Sequence, residues 1–230
     1  MKVLLFGKNI KNLEPQIKEL GFEVSSNPDL IISYGGDGTL LKAEREYLSV
    51  PKLPIRDPKN YLKCNKHTDA QILLDFKKNK LKLKESKKLE TTLLYKKFYA
   101  LNDFVVRNQH PIHAIRFEVN NKYFIGDGIV VSTPFGSTGY FKSITSKTFT
   151  KGFGVAFNNT TQKTAPVFFP DQDIVTFKLI RGKASISFDN SPEIFNIDEG
   201  SELIFKVSDQ VAKIYSPETL RCPDCQVKRA

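Results

Sequence analysis

The sequence predicts an α/β N-terminal domain, a parallel sheet with helices, followed by a β-rich C-terminal domain. Up to about position 80, apolar runs typical of strands alternate with segments of helical periodicity. Beyond that point, short strand-like runs separated by turn residues dominate. The 230 residues suffice for one large domain or two small ones. We therefore expect domains at residues 1–85 and 86–214 and a tail at residues 215–230.

The first domain alternates predicted strands and helices. Apolar runs predict strands at Lys2–Phe6, Phe22–Val24, Leu30–Tyr34 and Pro51–Ile55. The prolines of the last run predict an edge strand or a strand entry. Asn12 is a suitable N-cap for the first helix, and Gly21 is suited to end it. Thr68-Asp69-Ala70-Gln71 matches a capping box, which predicts a further helix there.

The β-rich half is predicted from runs that alternate with turn residues such as Asn120-Asn121 and Arg181-Gly182. The expected strands are Leu89–Leu94, Phe98–Val106, Ile112–Val119, Tyr123–Ser132, Val167–Phe169, Ile174–Leu179, Ala184–Phe188 and Leu203–Val207.

The composition favours a soluble protein with anionic partners. The formal net charge is +10 and the pI is near 9.4, which suits a nucleotide polyphosphate. Nucleic acid is not expected, because no RNP, zinc-finger or helix-turn-helix pattern is present. No apolar run approaches the roughly 20 residues needed to span a membrane. Few cysteines and an N-terminus unlike a signal peptide predict a cytoplasmic protein.

The turn Gly35-Gly36-Asp37-Gly38-Thr39 lies between a predicted strand and a predicted helix. Glycines let a ligand approach the backbone, and a helix N-terminus offers N–H groups to phosphate. A carboxylate between them repels phosphate, but it fits a group that takes a proton from a hydroxyl or steers a metal. A tight turn with an Asp cap is the alternative, and the turn alone does not decide between them.

Two further motifs follow in order. Leu101-Asn102-Asp103-Phe104-Val105-Val106 places two polar residues beside an apolar run, and residues 126–140 read GDGIVVSTPFGSTGY. Together with GGDGT they resemble the NAD kinase family, whose marks are GGDGT, an Asn-Glu/Asp pair and GDG…STPxGSTAY. GGDGT alone would also admit lipid kinases and phosphofructokinases. The resemblance spans roughly Met1 to Ile214 and is strongest at the motifs.

The resemblance implies a fold and an activity. Family members join an α/β domain to a β-sandwich-like domain, and the C-terminal tail returns to the first domain. They transfer a phosphoryl group from ATP or polyphosphate to the 2′-hydroxyl of the adenosine ribose of NAD, with Mg²⁺ or another divalent cation. They assemble as dimers or tetramers through the β domain. The expected partners are therefore NAD, ATP and further copies of the chain.

The resemblance also implies roles for individual residues. Asp37 is expected to be the catalytic base, flanked by Gly36 and Gly38, where substrate and phosphate approach closely. Thr39 is expected to donate to a phosphate or to cap the helix. The remaining nucleotide-binding residues implied are Asn102, Asp103, Asp127, Thr138, Gly139, Tyr140 and Ser143.

The sequence departs from the family at two loops. The family's Gly-rich loop is replaced by residues 55–62, which contain no glycine, so Arg56 or Tyr61 would supply different contacts. The later Pro-His loop corresponds to residues 154–166, which contain no histidine; Asn158 and Asn159 lie there instead. These departures concern the acceptor, so two alternatives stay open: a GGDGT kinase with another acceptor, and a catalytically silent dinucleotide-binding regulator.

The cysteines form two short motifs. Cys64 and His67 are spaced as Cys-x-x-His, and Cys222 and Cys225 as Cys-x-x-Cys; these are all the cysteines in the chain. Each motif is a usual half-site for structural zinc. A tail that folds back on the first domain would bring the halves together. The alternatives are unrelated thiols or a redox-labile Cys222–Cys225 pair.

Overall fold

A computed structural model of the chain describes residues 1–228. Its α-helices are α1 (Glu14–Glu19), α2 (Asp37–Glu46), α3 (Asp69–Lys77) and α4 (Tyr140–Thr145). Its strands are β1 (Lys2–Gly7), β2 (Glu23–Val24), β3 (Leu30–Tyr34), β4 (Lys52–Ile55), β5 (Tyr61–Leu62), β6 (Leu83–Leu93), β7 (Lys96–Ala100), β8 (Asp103–Asn108), β9 (Ile115–Val119), β10 (Lys122–Gly126), β11 (Gly128–Ser132), β12 (Phe153–Asn158), β13 (Val167–Phe169), β14 (Ile174–Arg181), β15 (Ala184–Phe188), β16 (Phe195–Ile197), β17 (Glu202–Tyr215) and β18 (Gln226–Val227). Among these described residues, no helix is long and apolar enough to cross a membrane.

The chain divides into two compact units. The first contains Met1–Ser86 together with the segment that begins at Ala212, and the second is Lys87–Val211. The last part of β17 therefore belongs to the first unit. The C-terminal segment returns to the N-terminal unit, as the family resemblance implies.

The first unit is built on a parallel sheet, which confirms the α/β prediction. Its strand order is β2-β1-β3-β4, and the end of β17 adds a further parallel strand through the pair Ile214 and Lys52. Every residue of β3 is buried, as expected for a central strand of a parallel sheet. Helices α1 and α3 each bury apolar side chains, Ile17 and Leu73 among them, in the same core cluster as β3.

The helix ends predicted for the first unit are confirmed at two of three positions. Gly21 follows α1 with a φ of +77°, which confirms the left-handed residue predicted there. The hydroxyl of Thr68 accepts from Gln71 N at 3.2 Å, which confirms the cap of α3. Asn12, however, does not cap α1; it closes a short 3-10 helix, Ile10–Asn12.

Of the two alternatives predicted for Pro51–Ile55, the edge strand is wrong, whereas Pro51 does lie at the entry of β4. Strand β4 lies inside the sheet, between β3 and the end of β17, and all its residues are buried. Proline discourages a central position because it lacks an N–H group. Pro54 is nevertheless tolerated there, and the partner that covers the strand comes from near residue 214, which local sequence does not reveal.

The second unit contains two antiparallel sheets. One has the order β13-β12-β11-β8-β15-β16; the other contains β10-β9-β14 and the first part of β17, with the β6–β7 hairpin beside it. Side chains of both sheets form one core cluster. The rings of Phe104 and Phe205 lie 5.5 Å apart, and those of Phe124 and Phe157 lie 4.5 Å apart. These contacts join the two sheets, as expected for a sandwich-like unit.

The strand predictions for the second unit need three corrections. The run Phe98–Val106 is broken at Leu101-Asn102 into β7 and β8. The run Tyr123–Ser132 is broken at Asp127, and its halves, β10 and β11, belong to different sheets. Strand β12 occupies the start of the stretch predicted as a loop, because its apolar residues are buried between β11 and β13.

Candidate active site

The GGDGT turn lies at the junction of β3 and α2, as predicted. Gly36 is the N-cap residue of α2, and Asp37 begins the helix. A Cβ on Gly36 would lie 2.6 Å from the hydroxyl of Tyr61, and a Cβ on Gly35 would overlap the side chain of Thr39. Glycine thus leaves room for the Thr39 side chain at position 35 and for the Tyr61 hydroxyl at position 36.

The N-terminus of α2 has no side-chain cap in the described structure. The capping role considered for Thr39 is therefore not realised; its backbone N–H bonds Gly36 O at 3.1 Å. Gly38 is exposed in the first turn. A helix start with glycine beside it and no capping side chain can offer its N–H groups to an anion.

Two arginines converge on Asp37. Arg221 Nη1 donates to Asp37 Oδ2 at 3.1 Å, and Arg56 Nη2 lies 3.5 Å from Asp37 Oδ1. Arg56 is held in place because it donates to Leu220 O at 2.5 Å and stacks 4.3 Å above the ring of Tyr61. The Asp37 side chain is 36% exposed. The turn thus combines an accessible carboxylate with two guanidinium groups that suit phosphate.

Sequence reasoning named Arg56 and Tyr61 as replacements for the missing glycine-rich loop, and the structure places both beside the turn. It did not find Arg221, which lies 184 positions from Asp37 along the chain. The only available signal was the expectation that the tail returns to the first unit.

In the second unit, the carboxylate of Asp189 binds the backbone of the Asn102-Asp103 segment. Its carboxylate accepts from the backbone N–H groups of Leu101 at 2.7 Å, Asn102 at 2.7 Å and Asp103 at 3.3 Å. A carboxylate that accepts several N–H groups fixes the local backbone. Asp189 was missed by sequence reasoning, because nothing nearby suggests that a residue after β15 meets the break between β7 and β8.

The Asn102 segment also contacts the motif that follows β11. Thr133 N donates to Asn102 O at 2.9 Å, and the Thr133 hydroxyl donates to Leu101 O at 2.5 Å. Gly136 packs so closely that a Cβ there would overlap the backbone of Asn102. The structure thus brings together two of the motifs that the sequence singled out.

The side chains of Asn102 and Tyr140 differ in their hydrogen bonding. The side-chain oxygen of Asn102 is buried and has no hydrogen-bond partner among residues 1–228. Buried polar atoms are nearly always paired, so an acceptor without a partner is uncommon. Tyr140 begins α4, and its hydroxyl accepts from Asn158 Nδ2 at 3.3 Å.

The other predicted site residues are exposed or bonded to neighbouring groups of the protein. Thr138 and Gly139 are exposed just before α4. The Ser143 hydroxyl donates to Tyr140 O at 2.7 Å, within the helix. Asp127 joins β10 to β11 and accepts from Asn108 Nδ2 at 3.3 Å and Asn159 Nδ2 at 3.1 Å. Asp127 therefore lies where the chain passes from one sheet of the second unit to the other.

The carboxyl group of Asp103 has an unusually high pKa. The residue is 8% exposed, and burial, followed by repulsion from Asp189, raises its pKa to about 7. The native state therefore holds this proton more tightly than the unfolded chain does, where the pKa is about 4. Stability should fall as the pH rises from about 4 to about 7, and should level off above that range.

Asp103→Asn, which cannot ionise, should remove this decline. Between pH 5 and pH 8 the unfolding free energy of the parent protein should fall by roughly 2 to 3 kcal/mol more than that of the variant. Urea unfolding at the two pH values measures the shift. Asp198→Asn, at an exposed position of the same unit, is the control. Parallel pH profiles for Asp103→Asn and the parent protein would disprove the assignment.

The chain combines an α/β unit that contains the glycine-rich turn with a β-rich second unit, and it is similar to known proteins with this organisation. An NAD kinase of Sulfurisphaera tokodaii is 30% identical over 145 residues, which are 61% of this chain and 57% of that protein. An NAD kinase of Sulfurimonas denitrificans is 26% identical over 85% of this chain and 75% of that protein. No family model matches the chain.

The structural comparison agrees at the level of the fold. An NAD kinase from Archaeoglobus fulgidus, solved in complex with ATP, superposes with a TM-score of 0.75 at 19% identity, over 96% of each chain. The chain is therefore similar in sequence to NAD kinases and has the fold of the Archaeoglobus fulgidus protein. Its match to the Sulfurisphaera tokodaii relative covers little more than half of that protein's length.

Proposed function

We propose that the protein is an NAD kinase, which transfers the terminal phosphoryl group of ATP to the 2′-hydroxyl of the adenosine ribose of NAD. The observation behind this is the position of Asp37: it is accessible, starts a helix between two glycines and lies beside Arg56 and Arg221. The names of the relatives and the ATP complex of the Archaeoglobus fulgidus protein support the same assignment.

The chemistry follows from these groups. A ribose hydroxyl is a poor nucleophile at neutral pH, so it needs a base. Asp37 accepts its proton as the hydroxyl oxygen bonds to phosphorus and the bond to the ADP oxygen breaks. Arg56, Arg221 and the N–H groups at the start of α2 neutralise the charge on the transferred group. The products are NADP and ADP, and the released proton stays on Asp37 until solvent takes it.

A divalent cation such as Mg²⁺ would accompany ATP. Magnesium is usually held by one or two carboxylates together with substrate phosphates, not by a protein cage. The carboxylate oxygens of Asp37 face guanidinium groups at 3.1 and 3.5 Å. The phosphates of the nucleotide would therefore supply most of the ligands, and the cation would screen their charge.

The second unit contains the proposed dinucleotide contacts. The unpaired acceptor of Asn102 suits an amide or exocyclic amine, and the ring of Tyr140 suits a base. The carboxyl groups of Asp103 and Asp127 suit ribose hydroxyls. Thr138, Gly139 and Ser143 are proposed to border the adenine end of the substrate.

Asn102→Ala and Tyr140→Ala should each raise the KM for NAD by about tenfold and leave the KM for ATP nearly unchanged. Loss of one hydrogen bond or one stacking contact costs about 1 to 2 kcal/mol, which corresponds to this factor. Initial rates and calorimetric titration with NAD measure the effect. Lys151→Ala, at an exposed position of the same unit, is the control. Unchanged NAD affinity in both variants would exclude the placement.

One assay tests the activity itself. Purified protein is incubated with NAD, ATP and magnesium, and NADP is detected; polyphosphate replaces ATP and NADH replaces NAD in parallel reactions. NADP formation is the expected result. NAD binding without any NADP would instead identify a silent dinucleotide-binding regulator. ATP consumption that requires a lipid or a sugar would identify a GGDGT kinase with another acceptor.

Location and assembly are also proposed. The cysteines are free thiols, which suits the reducing cytoplasm. Ile174 and Ile204, on the neighbouring strands β14 and β17, are each 51% exposed, which supports a homo-oligomer, a dimer or tetramer, formed through the β unit. Light scattering of the purified protein measures its mass.

A further inference from the structure

The two cysteine motifs meet in the first unit. Cys64 and His67 lie before α3, and Cys222 and Cys225 lie in the C-terminal segment. One ligand atom from each of these four residues lies within 4.8 Å of the others. Residues about 160 positions apart along the chain thus present three sulfur atoms and one imidazole nitrogen to a common point.

We infer that these residues form a structural zinc site, with Cys64, His67, Cys222 and Cys225 as its ligands. Three thiolates and one imidazole are a standard ligand set for tetrahedral structural zinc. The site is separate from the phosphoryl-transfer chemistry, so it does not depend on the proposed function.

The distances fit a tetrahedral ion. Zinc bonds of about 2.3 Å to sulfur and about 2.0 Å to nitrogen separate two sulfurs by roughly 3.8 Å, and sulfur from nitrogen by roughly 3.5 Å. Cys64 Sγ lies 3.7 Å from Cys225 Sγ and 4.0 Å from Cys222 Sγ. His67 Nδ1 lies 3.3 Å from Cys64 Sγ and 3.4 Å from Cys225 Sγ.

The two sulfur–sulfur distances argue against a disulfide that involves Cys64. A disulfide joins its sulfurs at about 2.05 Å and leaves no place for the imidazole. All three cysteines are free thiols in the structure. A redox-active Cys222–Cys225 pair would also not explain why Cys64 and His67 lie in contact with it.

The backbone prepares both half-sites. His67 N donates to Cys64 O at 3.0 Å, and Cys225 N donates to Cys222 O at 3.2 Å, so each motif forms a tight turn with its ligands on one side. Strands β5 and β18 pair beside them, with Gln226 opposite Leu62. The metal and this two-stranded sheet would both join the loop before α3 to the C-terminal segment.

The C-terminal segment needs such an anchor. In its described part after Ser216, Leu220 is the one buried apolar residue. Little apolar burial is then available to hold the segment in place. Arg221, directly before Cys222, nevertheless holds its guanidinium beside Asp37. A metal that joins Cys222 and Cys225 to Cys64 and His67 would position this arginine.

Metal content is the first test. The full chain, produced without a histidine tag in zinc-supplemented medium, should contain close to one equivalent of zinc by elemental analysis. Removal of the metal with a chelator should lower Tm by roughly 10 °C, and zinc should restore it. Cobalt in place of zinc should give the absorption of a tetrahedral thiolate site. Zinc far below one equivalent, with Tm unchanged by chelator, would overturn the inference.

Variants separate a metal ligand from a merely structural residue. His67→Ala should lose the zinc, whereas His67→Cys, which restores a fourth ligand, should retain it. His113→Ala, at an exposed histidine of the other unit, should retain it as the matched control. If His67→Ala retains its zinc against a chelator as well as the parent protein does, His67 is not a ligand and the site is wrong. The metal analysis of the parent chain decides the question even if a variant fails to fold.

Discussion

Asp37→Asn is expected to lower kcat by about a hundredfold to ten-thousandfold, the usual cost of losing a general base. Asparagine keeps the shape of the side chain but cannot accept the hydroxyl proton. The helix start and the glycines are unchanged, so NAD and ATP should still bind.

The measurement compares kcat and the affinities for both substrates. Asp75→Asn, in α3 of the same unit, is the matched control and should retain full activity. Circular dichroism and Tm confirm that both variants are folded. Full turnover in a correctly folded Asp37→Asn protein would refute Asp37 as the base, whatever the zinc content of the protein.

Lys52→Met should lower the free energy of unfolding by about 3 to 5 kcal/mol, because it leaves a buried carboxylate without its cation. Lys52 lies in β4 and Glu44 in α2; both side chains are almost fully buried and form an ion pair. Lys52 Nζ also donates to the carbonyl oxygen of Tyr47, which closes α2.

Replacement of both partners should be far less costly. In Lys52→Met combined with Glu44→Leu no charge is left buried, so we expect most of the lost stability to return. Lys42→Met breaks the exposed pair with Glu46 on the same helix and should cost at most about 1 kcal/mol. Denaturant unfolding measures all three proteins. If the Lys52→Met protein is as stable as the parent, the buried ion pair contributes nothing to stability.

The sequence by itself determined the local features of this protein. The strand-turn-helix at Gly35–Thr39, the left-handed Gly21 and the cap at Thr68 were all predicted, because each depends on residues only a few positions apart. The change from an α/β rhythm to short strands was predicted for the same reason. The spacing within the two cysteine motifs indicated half-sites for a metal, but not that they meet.

The tertiary structure decided what depends on distant pairing. Strand β4 is a central strand because Ile214 pairs beside it, although its prolines allowed either an edge strand or a strand entry. Arg221 reaches Asp37, Asp189 binds the backbone at Asn102, and Cys222 meets Cys64, each across a long stretch of chain. Hydrophobic periodicity and short motifs report the neighbours of a residue in sequence. Which distant segments pack together is set by burial and hydrogen bonding summed over the whole fold, so only the structure shows it.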